Sequence, residues 1–88
     1  MCTMISMSTA IRGAGKGDQG WFEVSRANVG FDHAAHTQAE HALLLDFVNP
    51  ALGVGARVAL EMDLASGRAL LQQLQAAIAA AEQSGVRE

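Results

Sequence analysis

The period of the apolar residues changes once along this chain, at Asp63, and that change constrains the fold more than any other feature. Upstream, apolar and polar residues alternate, the pattern of strands with one buried side. Downstream they recur every three or four positions, the pattern of one helical face. Leu70, Leu71, Leu74, Ala77, Ile78 and Ala81 form that stripe, with Arg68, Gln72, Gln75 and Glu82 mostly on the outer side. Asp63 reads as the N-cap, its carboxylate accepting from the free amides of the first turn. Gly85 reads as the C-cap, and Gly67, standing in the stripe, weakens the first turn. The spacing predicts a helix over residues 64–84.

Four strands precede it. Thr3, Ile5, Met7, Thr9 and Ile11 alternate with Met4, Ser6, Ser8 and Ala10, which predicts a strand over about residues 3–12. Four glycines in residues 13–20 predict a flexible hairpin or loop. They flank Lys16, but no helix pattern follows, so a phosphate cradle is not supported. A second strand spans 21–33, and its apolar phase slips near Ser25 and Arg26, which predicts a β-bulge. Trp21 reads as a core or rim anchor. Residues 41–48 are apolar on both sides, with Leu43, Leu45 and Phe47 opposing Ala42, Leu44 and Val48. Asn49, Pro50, Gly53 and Gly55 mark a turn, and residues 56–62 return as a strand. The expected fold is therefore α+β: a four-stranded antiparallel meander with a C-terminal helix packed on one sheet face.

Size and composition suggest how such a fold is completed. Eighty-eight residues make a single small domain, yet half are apolar and only 17% are charged. A homodimer or higher homo-oligomer, using the sheet face opposite the helix, would cover the surplus. The net charge is −3 and the six basic residues are scattered, which argues against a nucleic-acid partner. No apolar run approaches the roughly 18–20 residues of a membrane span. The N-terminus lacks the basic and apolar regions of a signal peptide, and a single cysteine suits the reducing cytoplasm.

Chemistry, if the chain performs any, concentrates in residues 31–41. This stretch holds all three histidines, His33, His36 and His41, interleaved with Asp32 and Glu40. His33 closes the second strand and His41 opens the third, so a hairpin brings them together at the strand ends, with His36 in the loop between. Three imidazoles suit a divalent transition metal, zinc first, with the fourth position open or filled by Cys2, Glu40 or Glu61. Asp32 and Glu40 are the candidate proton-transferring groups of a metal-dependent enzyme. They also read as carboxylates holding ring tautomers, or as solvated loop charges.

Met1-Cys2-Thr3, Gly20-Trp21-Phe22, Phe31-Asp32-His33 with His36, Ala39-Glu40-His41, Asn49-Pro50 and Ala56-Arg57-Val58-Ala59 together resemble a family of short, chiefly actinobacterial proteins of unknown function. The likeness covers nearly the whole chain. It implies that Cys2 and the Asp-His…His…Glu-His segment belong to a shared pattern, and it implies no reaction. This sequence departs from the family in carrying Gly30 and Ala34 where bulkier residues or proline are typical. Two expectations follow. One is a small metal-binding protein, in its further form a metal-dependent enzyme with a small-molecule ligand, with His33, His36, His41 and Cys2 as ligands of a divalent ion. The other is a non-catalytic homo-oligomeric accessory protein without metal.

Overall fold

The computed structural model describes residues 5–37 and 40–88. Four strands, β1 (Ile5–Gly17), β2 (Gly20–His33), β3 (His41–Val48) and β4 (Arg57–Met62), are followed by one helix, α1 (Leu64–Ser84). The strands form one antiparallel sheet in chain order, and α1 meets it at β3. This is the α+β meander expected from the change of period. Among the described residues, no helix is long and apolar enough to cross a membrane.

The glycine-rich stretch takes the hairpin form, and the strand runs further into it than residue 12. Residues 13–17 continue β1, pairing Gly13 with Val24, Gly15 with Phe22 and Gly17 with Gly20. Cross-strand pairing to Phe22 and Val24 thus overrides the low strand propensity of the glycines. Only Asp18 and Gln19 turn the chain, neither with positive φ, while Gly20 lies at φ 105°. That is the pattern of a type I turn closed by a glycine bulge. The arm curls back toward Val58 and Arg57 of β4, and Trp21 sits on it opposite Lys16, 72% exposed, so it is not a core anchor.

The phase slip is present, with its extra residue in β1. Three steps from Ala10 to Gly13 face two from Arg26 to Val24, leaving Ile11 and Arg12 opposite Ser25.

Register places the residues in rows across all four strands. Ile5, Phe31, Leu43 and Met62 form one row, and Met7, Val29, Leu45 and Leu60 the next. These rows belong to one apolar face. The opposite face carries Ser8, Asn28, Asp46 and Ala59 in one row and Ala10, Arg26, Val48 and Arg57 in another. Its polar groups satisfy one another. Arg26 Nη1 donates to Ser8 Oγ at 2.9 Å, Ser8 Oγ donates to Asn28 Oδ1 at 2.7 Å, and Arg57 Nε donates to Asp46 Oδ1 at 2.8 Å. The surplus apolar surface therefore lies on the helix side of the sheet, not on its back.

Helix α1 begins and ends as its sequence predicts. Asp63 Oδ1 accepts from the Ser66 amide at 2.7 Å, and Gly85 closes the helix in the left-handed region at φ 73°. Its first turns meet the sheet at β3 and β4. Gly67 lies against Leu43 and Met62, so close that a side chain at this position would run into Leu43. Beyond that point the stripe stands largely in water: Leu74 and Ile78 are 52% and 57% exposed, and no residue of α1 is buried.

Asn49 secures the other end of the sheet. It is buried, donates from Nδ2 to the Glu23 carbonyl at 2.9 Å, and accepts on Oδ1 from the Ala51 amide at 3.2 Å. One side chain thus closes the turn after β3 and ties it to β2.

Candidate functional site

The strand ends where β2 leaves and β3 enters assemble the histidine corner. His33 and His41 are direct cross-strand partners, as the hairpin reading predicts. Register fixes their side chains on the apolar face, one step beyond the Phe31–Leu43 pair. His33 Nδ1 lies 3.2 Å from His41 Nε2, with ring centroids 4.7 Å apart and planes inclined by 54°. Phe31 stacks on His41 at 5.8 Å and 23°, limiting the rotation of that ring.

His36 takes a different partner. Its ring Nδ1 lies 3.0 Å from Glu61 Oε2, and its backbone N–H donates to Glu61 Oε1 at 2.8 Å. The Ala35 amide also donates to Glu61 Oε2, at 3.4 Å. Glu61 stands opposite Leu44, on the face of the sheet away from His33 and His41. The structure thus brings two imidazoles together and directs the third to a carboxylate. Among the described residues, no group of three or more His, Cys, Asp or Glu side chains is placed to hold one metal ion. Cys2 lies outside the described residues.

The hydrogen bond from the His36 ring, followed by the His36 backbone N–H, holds the Glu61 carboxyl below its ordinary value. The Ala35 amide and the charge of His36 act in the same direction, and partial burial opposes them. A carboxylate receiving two successive amides and a ring nitrogen is a tether for the loop. Asp32 acts locally: its Oδ1 accepts from the His33 amide at 2.7 Å and stands 4.0 Å from His33 Nδ1. Glu40 is exposed, and its carbonyl accepts from the Ala34 amide at 3.2 Å, closing the loop at its base.

Sequence reasoning did not identify the Phe31–His41 stack or the loop tether at Glu61. The first follows from alternation once the register is known, since residues 31, 41 and 43 must share a face. The second had no local signal, because His36 and Glu61 are 25 positions apart.

An apolar groove of about 330 Å³ adjoins the histidine pair, lined by Ile5, Met7, Val29, Phe31, Leu43 and Leu64. These features define a class: a small α+β protein with one open sheet, a projecting helix and a paired-histidine corner. The chain belongs to DUF6295, a family of unknown function whose model matches residues 1–87. No curated protein and no solved structure matches it.

Proposed function

We propose that this protein is a non-catalytic homo-oligomeric accessory protein, in which a second copy covers the apolar sheet face and the helix stripe. The observation that carries this reading is surface area. A compact monomer of 9.2 kDa exposes about 4,900 Å² by the usual scaling. This chain exposes 7087 Å². The excess is about 2,200 Å² per copy, or about 4,400 Å² for two, within the roughly 2,000–5,000 Å² typical of obligate homodimers. The radius of gyration points the same way, at 14.8 Å against about 12 Å for a compact chain of this length.

The chemistry of the uncovered surface supports a partner that brings its own helix. Leu70, Leu71, Leu74 and Ile78 stand exposed along α1, and Ile5, Met7, Val29 and Leu60 stand exposed on the sheet. Each surface is the kind of partner the other requires: a helical ridge for a sheet face that its own chain meets at Leu43, through the first turns of α1, and at Val58, through the β1–β2 arm. A two-fold arrangement lets each copy lay its stripe over the other's groove, so both are covered at once. The single cysteine suits the cytoplasm as the compartment of this assembly. Asp32 and Glu61 are engaged with backbone amides, which supports a positioning role for them rather than proton transfer.

The mass in solution tests this reading. Sedimentation equilibrium should return twice 9.2 kDa or a higher multiple for the wild type. The double substitution Leu74→Glu with Ile78→Glu should lower it toward one copy. A wild-type particle of one-copy mass at every concentration would overturn the proposal. A second reading, metal binding, is favoured by a different observation, the imidazole pair.

A further inference from the structure

We propose that His33 and His41 form a two-imidazole site for a borderline transition-metal dication, Zn²⁺, Ni²⁺ or Cu²⁺, with water completing its coordination. This inference is independent of self-association. It rests on the spacing and fixation of two nitrogens, not on a count of histidines.

The spacing is that of a chelate. Metal–imidazole bonds of about 2.0–2.1 Å hold two nitrogens about 2.9 Å apart at a right angle and about 3.3 Å apart at the tetrahedral angle. His33 Nδ1 and His41 Nε2 are separated by 3.2 Å, between those limits. In the metal-free chain a hydrogen occupies the space between them, one ring donating and the other accepting. An ion bonded to both nitrogens would lie about 1.3 Å off the line joining them, once the donor ring carries its hydrogen on the other nitrogen and both rings turn their lone pairs toward it.

The corner is held from several sides. Residues 33 and 41 are register partners in the sheet, so their Cα atoms cannot drift apart without breaking the ladder. The Ala34 amide bonds the Glu40 carbonyl just beyond them, and Phe31 packs on the His41 ring. Rigidly placed ligands lose little freedom on binding, which favours affinity from only two of them. Asp32 Oδ1, already fixed by the His33 amide, stands 4.0 Å from His33 Nδ1. It adds negative charge and an acceptor for a metal-bound water.

Imidazole donors select metals of this class over Mg²⁺ and Ca²⁺, which prefer oxygen. His36 is not required, because its ring is committed to Glu61. This distinguishes the proposed site from a three-histidine centre.

Calorimetric titration of chelator-stripped full-length protein with ZnSO4, NiCl2 or CuSO4 tests the assignment. One ion should bind per chain, and Mg²⁺ should not compete. His33→Asn or His41→Asn should each weaken binding at least about tenfold, the lower end of the loss seen when even an outer partner of a metal site is removed. His36→Asn should leave binding unchanged. Imidazole ¹⁵N spectra should show perturbation at His33 Nδ1 and His41 Nε2, a readout independent of variant folding. Absence of binding at millimolar metal, binding that survives both substitutions, or an equal loss in His36→Asn would each overturn the two-imidazole site.

Discussion

Glu61 shows how one side chain organises a whole loop. It accepts from two consecutive amides, Ala35 and His36, and lies within bonding distance of the His36 ring. These bonds favour the ionised carboxylate, so its folded-state value is depressed below the ordinary 4.5. The sign follows from linkage. The unfolded state binds the proton more readily, so the stabilisation is complete above about pH 4.5 and is lost as the pH falls through the depressed value. Hydrogen exchange at the Ala35 and His36 amides should accelerate in that acidic window, after correction for intrinsic rates. Glu61→Gln should show the faster exchange already at neutral pH. Equal protection in wild type and variant at neutral pH would contradict the tether. A different constraint acts at Gly30, where an added Cβ would stand 2.8 Å from the Ile5 carbonyl oxygen. Gly30→Ala gains about 0.4–1 kcal/mol by restricting the unfolded chain. It also forces β1 away from β2, an overpacking cost of about 1–3 kcal/mol. The net outcome is destabilisation, measured as a lower urea midpoint.

At the scale of elements, legibility followed sequence distance. Asp63 and Gly85 were readable as helix caps because capping is settled within one turn. Strands β2 to β4 were readable from alternation, and the His33–His41 pairing followed from the hairpin that joins β2 to β3. The glycine-rich stretch reads as a hairpin or a loop, and local propensity does not say which, nor that β1 runs on to Gly17. Pairing with Phe22 and Val24 decides both, and it is non-local information for residues 13–15. Glu61 is legible only as one of three candidates beside the histidines, and its pairing with His36 is not, since it arrives on β4. The helix stripe was readable but its partner was not. Leu70, Leu71, Leu74 and Ile78 give the same periodicity whether the surface they meet belongs to their own sheet or to another copy's. Gly67, which sequence alone presents as a flaw, is what lets the first turns lie on Leu43.

At the scale of the molecule, few side chains are withdrawn from water. Among the described residues, the buried apolar ones are Val24, Ala27 and Ala42, two of them alanines. Burying a large aliphatic side chain stabilises by about 1.5–3 kcal/mol, and a lone protomer leaves most of its large ones half in water. Small domains that cannot bury enough surface alone gain the remainder through association. Folding of this chain should then be linked to its concentration by mass action. The thermal midpoint of the wild type should rise with protein concentration across a hundredfold range, because dilution favours dissociated and less stable chains. In Leu74→Glu with Ile78→Glu, the midpoint should be lower and nearly independent of concentration. Both residues are exposed in the protomer, so the change acts on association before it acts on the internal packing of one copy. A wild-type midpoint constant over that range would mean either that a protomer is stable by itself or that dissociation never occurs at the concentrations used. Sedimentation at the lowest concentration separates these: one-copy mass would contradict the coupling, and multiple-copy mass would extend it to a tighter assembly.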